Sequence, residues 1–119
     1  MTIADELASY REAWRTRWER KERTLEELRE RALAEARRLA GMLKSNYGCR
    51  AVYLIGSLAR EEFEEGSDID LVVEGLDPAR YFRALGEVMA MSGFPVDLIP
   101  CEDANELVGD RVRSEGKVL

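Results

Sequence analysis

The sequence predicts an α+β protein in which a long N-terminal helical segment precedes a small β-sheet backed by helices. Residues 5–46 contain no proline and only one glycine, Gly41, and their apolar residues recur at helical spacing. Residues 51–99 alternate short apolar runs with a second helical pattern. Because 119 residues suit one domain, we expect a helical segment, 1–46, and a core, 47–119, to form a single domain.

The helical segment is too long for the rest of the chain. One helix over residues 5–46 would be about 63 Å long, whereas a globule of this size is about 35 Å across. The helix must therefore break or protrude. Thr24 begins a capping-box pattern that ends at Glu27, so a break near Thr24 and a projecting arm both remain open. The apolar residues that recur near one face of this segment are Trp14, Trp18, Leu25, Leu28, Ala32, Ala36, Leu39 and Leu43.

The two tryptophans give the N-terminal segment two alternative roles. If residues 5–23 project, Trp14 and Trp18 form a contact surface for a partner or for a second copy, which would make the protein a homo-oligomer through this helix. If residues 5–23 fold back, both side chains belong to the core.

The second half predicts three strands and two helices. The strands are expected at residues 51–55, 68–73 and 94–99. Asp77 and Pro78 begin a helix that runs to about Ser92, and Asp103 is expected to cap a last helix that ends near Gly116. The inner face of the first of these helices should hold Tyr81, Phe82, Leu85, Val88 and Met89.

Composition excludes several classes of protein. Without histidine, the chain cannot use an imidazole base or a common zinc site. Its two cysteines, Cys49 and Cys101, have neither a metal-ligand spacing nor a disulfide pattern. The apolar runs are too short to span a bilayer, and the first residues lack the regions of a signal peptide. We therefore expect a cytoplasmic protein without a membrane partner.

Charge is distributed unevenly along the chain. Residues 1–47 carry a net charge of +2, and residues 48–119 carry −8. A half this acidic should bind nucleic acid poorly, so no direct nucleic-acid binding is expected. A nucleotide bound here should bring a divalent cation with it.

The most informative pattern is Gly56-Ser57, ten further residues, and then Asp68-Ile69-Asp70. Residues i and i+2 of a strand point to the same face, about 6.6 Å apart. Two carboxylates there repel each other by roughly 2–3 kcal/mol, and the apolar run that follows indicates a buried strand. Such a pair is costly unless a cation lies between its members, and hard oxygen ligands favour Mg²⁺ or Mn²⁺.

Further residues extend this candidate site. Asp97 lies within the apolar third strand, and three strand carboxylates suit two-metal phosphoryl transfer. Gly56 and Ser57 would open a short helix and hold phosphate oxygens, and Arg60 could add positive charge. Taken singly, these features also suit a turn, a cap and an edge-strand ion pair. The acidic residues Glu61, Glu62, Glu64 and Glu65 are expected in a solvated loop.

The run GSLAREEFEEGSDIDLVV, with VDLI downstream, resembles the minimal nucleotidyltransferase (MNT) group of the DNA polymerase beta superfamily. The resemblance covers about residues 48–119 and implies the nucleotidyltransferase fold, a mixed sheet backed by helices. It implies that Gly56 and Ser57 contact the nucleotide phosphates and that Asp68 and Asp70 bind two Mg²⁺ ions. Asp97 would complete one metal site and help to deprotonate the acceptor hydroxyl. Many MNT proteins are antitoxins encoded beside a HEPN-domain toxin, and some transfer AMP to a toxin tyrosine.

Three functions follow as expectations. The first is a Mg²⁺-dependent enzyme that transfers AMP from ATP to a hydroxyl of a HEPN partner protein. The second is a non-catalytic antitoxin that inhibits a HEPN ribonuclease by contact. The third is a small-molecule nucleotidyltransferase, although the sequence shows no additional helical domain for such an acceptor. The nucleotide, the acceptor and the oligomeric state cannot be read from the sequence.

Overall fold

The N-terminal segment is one continuous helix. The structure is a computed structural model that describes residues 2–119, and its first helix, α1, spans Ile3–Tyr47. Thr2 and Asp5 form a capping box at its start, and Gly48 ends it in a left-handed conformation with φ of 65°. Thr24 lies inside the helix, where its hydroxyl donates to the Arg20 carbonyl at 2.8 Å. The capping-box pattern at Thr24 therefore causes no break.

The N-terminal half of α1 projects from the rest of the protein. The structure extends 72 Å along its longest axis and 29 Å along the next, as expected for a 45-residue helix at 1.5 Å per residue. Trp14 and Trp18 are 67% and 59% exposed, so residues 5–23 project and do not fold back onto the core. The buried residues of α1 begin at Leu28 and include Leu28, Ala32, Ala36, Leu39, Ala40, Leu43 and Tyr47.

Four strands form one mixed sheet. They are β1 (Ala51–Ile55), β2 (Ile69–Glu74), β3 (Val96–Pro100) and β4 (Lys117–Val118), in the order β3-β2-β1-β4. Strand β1 is antiparallel to both β2 and β4, whereas β2 and β3 are parallel. The sequence did not predict β4, because two residues are too few to show an alternating pattern.

The two faces of the sheet are covered by different helices. The first face carries Val52, Leu54, Ile69, Leu71, Val73 and Leu98, all buried in the main core. Helix α1 and a second long helix, α3 (Tyr81–Met91), pack against this face. The second face carries Tyr53 and Val72, and α4 (Glu106–Glu115) lies across them. None of the helices within residues 2–119 is long and apolar enough to cross a membrane.

Two details of these helices differ from the sequence prediction. A 3-10 turn, Pro78–Arg80, precedes α3, and the Asp77 side chain caps it as expected. Phe82 and Met89 are 81% and 62% exposed, whereas Val88 is buried as expected, because a period of 3.6 residues groups it with Ala84 on the buried side. The cap of α4 is Asn105, whose side chain accepts from the Val108 N–H at 3.0 Å, and not Asp103.

The buried ring of Phe63 anchors the loop between β1 and β2. The four glutamates of this loop are exposed, as expected, but Phe63 between them is only 1% exposed. Its ring packs edge-on against Phe94 with centroids 5.7 Å apart, and the Arg29 side chain donates to its carbonyl at 3.0 Å. The loop therefore returns to the sheet along a defined path.

A glycine joins β1 to the short helix α2 (Gly56–Ala59). Gly56 has a φ of 80°, and a Cβ built on it would lie 2.1 Å from Oδ2 of Asp70. Ile55 is the register partner of Asp70, so the chain turns directly over this carboxylate. Any side chain at position 56 would meet Asp70.

Gly66 provides a matched control for a prediction about this contact. It has a similar φ of 86° but nothing within 4 Å of its built Cβ. Gly66→Ala should lower the free energy of unfolding by about 1–2 kcal/mol through backbone strain alone. Gly56→Ala should cost about 1 kcal/mol more, because Asp70 must move. Denaturant unfolding measures both variants.

A double-mutant cycle isolates the contact itself. In an Asp70→Ala background, the extra cost of Gly56→Ala should vanish, leaving only the backbone strain. If Gly56→Ala keeps its extra cost in the Asp70→Ala background, the Asp70 carboxylate is not what excludes a side chain at position 56.

Candidate active site at the aspartate end of the sheet

The structure brings the three predicted aspartates to one end of the sheet. Asp70 in β2 and Asp97 in β3 are direct register partners, so both lie on the second face of neighbouring strands about 4.8 Å apart. Asp68 precedes β2 by one residue. Asp70 is half-buried, whereas Asp68 and Asp97 are exposed.

The electrostatics of Asp70 reflect this crowding. Burial, then the charge of Asp97 and that of Asp68, raise its pKa to about 6, against a partial opposing effect from Arg111 and Arg60. Within residues 2–119, none of the three aspartate side chains forms a salt bridge or accepts a side-chain hydrogen bond. The cluster therefore holds negative charge that the protein does not neutralise by direct contact.

The predicted phosphate-binding residues lie beside the cluster. Gly56 and Ser57 form the first turn of α2, as expected, and Ser57 is half-buried. The Gly56 N–H donates to Oε2 of Glu115 at 2.8 Å. Arg60 donates to the same oxygen at 2.9 Å and to Glu62 at 3.1 Å. Two of the groups expected to contact phosphate, the Gly56 N–H and Arg60, thus converge on a carboxylate of the protein itself.

Glu115 and Arg111 are site residues that the sequence analysis missed. Both lie on α4, and Arg111 donates to Oε1 of Glu115 at 3.3 Å. Although burial opposes it, the hydrogen bond from Gly56, together with Arg111 and Arg60, keeps the pKa of Glu115 below its ordinary value. Helix α4 reaches the site by packing on β1 and α2 and through the pairing of β4 with β1, and these long-range contacts leave no local signal in the sequence.

A divalent cation requires several oxygen donors at one place. In residues 2–119, no three histidine, cysteine, aspartate or glutamate side chains converge closely enough to hold a metal ion by themselves. Mg²⁺ usually takes one or two carboxylates and completes its shell with water and substrate phosphates. The half-buried Asp70, with unpaired carboxylates on either side, supplies the hard oxygen donors that Mg²⁺ prefers, so the residues present fit the ion.

Solved structures share this fold. One is a toxin–antitoxin complex with AMP-PNP, with a TM-score of 0.62, 23% identity and 70% of each chain covered. Another is the tri-AMPylated HEPN toxin of Shewanella oneidensis in complex with MNT antitoxin, with a TM-score of 0.57, 21% identity, and 73% of this chain and 70% of that chain covered. A third is described as a minimal nucleotidyltransferase; it has a TM-score of 0.58, 28% identity, and covers 80% of this chain and 95% of its own.

A family model gives the assignment. Comparison with curated proteins finds no significant match. The model described as polymerase beta, nucleotidyltransferase, matches residues 37–119, which include all four strands, the three aspartates and α4. The mixed α+β fold expected from the sequence is confirmed. The chain belongs to the polymerase beta nucleotidyltransferase family.

Proposed function

We propose that the protein transfers AMP from ATP to a hydroxyl of a partner protein, with Mg²⁺ held at Asp68, Asp70 and Asp97. The observation that carries this proposal is the aspartate cluster: three carboxylates without a direct basic partner, one of them half-buried with its pKa raised to about 6. Repulsion within such a cluster destabilises the folded protein, and a bound cation would offset this cost. Bound Mg²⁺ would neutralise the phosphates and polarise the α-phosphate.

The residues of the chain have separate tasks in this reaction. The Gly56 N–H, the Ser57 hydroxyl and Arg60 hold phosphate oxygens, which orients the α-phosphorus toward the acceptor. Asp97 accepts the proton of the acceptor hydroxyl. As the acceptor oxygen bonds to the α-phosphorus, the bond to pyrophosphate breaks and pyrophosphate leaves. Asp97 suits this task because it is exposed at the sheet edge, where an acceptor can approach.

A partner protein is the acceptor class that the relatives support best. Two of the similar structures are toxin–antitoxin complexes, and one contains a tri-AMPylated HEPN toxin. We therefore propose that this chain is an antitoxin that modifies a HEPN partner at a tyrosine. AMP would add negative charge there, which would repel RNA from a ribonuclease surface.

The first prediction from this proposal concerns how the stability of the protein depends on pH. The pKa of Asp70 is about 6 in the folded protein and near 3.8 when unperturbed, so stability contributed by the protonated form is lost as pH rises from about 4 to about 6. Asp70→Asn should therefore unfold like the original protein at pH 4. At pH 7 it should be more stable by about 2 kcal/mol, a value already reduced for partial exposure. Denaturant melts across this pH range measure the gap.

Mg²⁺ should act on the same repulsion. It should raise the melting temperature of the original protein at pH 7 and leave that of Asp70→Asn unchanged, whereas the exposed-loop variant Glu65→Gln should respond like the original. If the difference in stability between Asp70→Asn and the original protein is the same at pH 7 as at pH 4, the aspartate charges do not repel each other as proposed.

The second prediction concerns Glu115. Its carboxylate accepts from Gly56 and Arg60, so phosphate must displace it to reach the same donors. Glu115→Gln should bind Mg²⁺-ATP about 3–10-fold more tightly, because the displaced group no longer carries charge. Asp110→Asn, which alters an exposed ion pair elsewhere on α4, should leave the affinity unchanged. If calorimetry finds that Glu115→Gln binds Mg²⁺-ATP more weakly, Glu115 instead holds Gly56 and Arg60 in position for the nucleotide.

The third prediction concerns transfer itself. Asp97→Asn should lower turnover on the order of 10²-fold or more, as expected for loss of a general base, with little change in ATP affinity. Asp103→Asn, beyond the other end of β3, should have no effect. Near-normal turnover by Asp97→Asn would assign Asp97 a structural role.

Co-expression with the neighbouring gene product tests the acceptor. Mass spectrometry of that product should show added AMP, and the addition should disappear with Asp68→Asn/Asp70→Asn. A neighbour that binds and is inhibited without added mass would support the non-catalytic antitoxin instead.

A further inference from the structure

Arg111, on α4, belongs to the same hydrogen-bond network as the proposed phosphate donors. Three groups share the Glu115 carboxylate. Its Oε2 accepts from the Gly56 N–H at 2.8 Å and from Arg60 at 2.9 Å, and its Oε1 accepts from Arg111 at 3.3 Å. Because hydrogen bonds from charged donors favour negatively charged oxygens, these three donors together suit an anion with several oxygens.

Arg111 depends on Glu115 for its pairing, whereas Arg60 does not. The Arg60 guanidinium also donates to Glu62 at 3.1 Å. Across residues 2–119, the Arg111 guanidinium forms a salt bridge and a side-chain hydrogen bond with Glu115 alone, and Arg111 is only partly exposed. If phosphate displaces Glu115, Arg111 loses this partner beside the incoming phosphate oxygens, and an unpaired, partly buried guanidinium is costly.

The charge of Arg111 also reaches the aspartate cluster. Burial is the main cause of the raised pKa of Asp70, and among the groups that lower this pKa Arg111 acts more strongly than Arg60. Since the interaction of two charges weakens with distance, the guanidinium is close to Asp70 as well as to Glu115. It is therefore near both the proposed cation and the proposed phosphate donors.

Helix α4 can accommodate an exchange of partners. None of its residues is buried, so the side chains of Arg111 and Glu115 can move without opening the core. We propose that Arg111 is a further phosphate-binding residue, which releases Glu115 when the nucleotide binds and donates to a phosphate oxygen in its place. The planar guanidinium suits this contact. The inference rests on the nucleotide-binding part of the proposed function.

The experiment is isothermal titration calorimetry of Mg²⁺-ATP and of Mg²⁺-tripolyphosphate into the full chain carrying Glu115→Gln. In this protein Arg111 has no carboxylate at position 115 to hold, so an added Arg111→Gln change reports on the contact of Arg111 with phosphate. Arg111→Gln should weaken binding of both ligands at least about ten-fold, as expected for loss of a hydrogen bond between charged groups. Arg111→Lys should retain part of the affinity, because it keeps the charge but not the planar fork.

Arg113→Gln is the control, because it removes the same charge from an exposed position of α4 that pairs with Asp110. It should leave both affinities unchanged, and an equal loss with Arg113→Gln would show that net charge, not contact, is responsible. If Arg111→Gln changes neither affinity in the Glu115→Gln protein, Arg111 serves only to hold Glu115, and the inference is overturned while the nucleotide site stands. If the Glu115→Gln protein binds neither ligand with Mg²⁺, the proposed function and this inference fail together.

Discussion

The approach of the Asp70 carboxylate to the backbone of Gly56 is the constraint on which the site depends. The antiparallel register of β1 and β2 sets Asp70 opposite Ile55, and the next residue turns with a positive φ that leaves no room for a Cβ. The half-buried Asp70 carboxylate therefore lies directly beside the end of β1 and the start of α2. The parallel register of β3 then adds Asp97 beside Asp70.

The resulting site is electrostatically uneven. On the aspartate side, negative charges crowd together and raise the pKa of Asp70. On the α2 side, the donors at Gly56 and Arg60 are satisfied by Glu115. A cation bound together with a polyphosphate would satisfy both sides of the site. The cation would relieve the repulsion among the aspartates, and the phosphates would replace the Glu115 carboxylate at Gly56 and Arg60. Part of the binding free energy would then come from repulsion already present in the free protein.

Local patterns predicted much of this structure. Strands β1, β2 and β3 and helix α3 follow from alternation, capping and spacing within short windows of sequence, whereas the grouping of Asp97 with Asp68 and Asp70 was expected from their chemistry and from the family resemblance. The errors arose where tertiary context decides. For Trp14 and Trp18, which match the buried stripe of α1 in spacing, the sequence left burial and projection open, and both side chains are exposed because the sheet is too short to reach them. Phe63 lies between glutamates in the sequence, and Glu115 reaches Gly56 because α4 packs on β1 and α2 and β4 pairs with β1. Neither contact has a signature in the residues around it.

The central claim is that this end of the sheet binds a nucleotide only together with a divalent cation. Isothermal titration calorimetry of ATP into the full chain, once with Mg²⁺ and once with EDTA, tests it most directly. We expect saturable ATP binding with Mg²⁺ and an ATP affinity at least about ten-fold lower in EDTA, a difference of about 1.4 kcal/mol or more. Equal ATP affinity under the two conditions would contradict it.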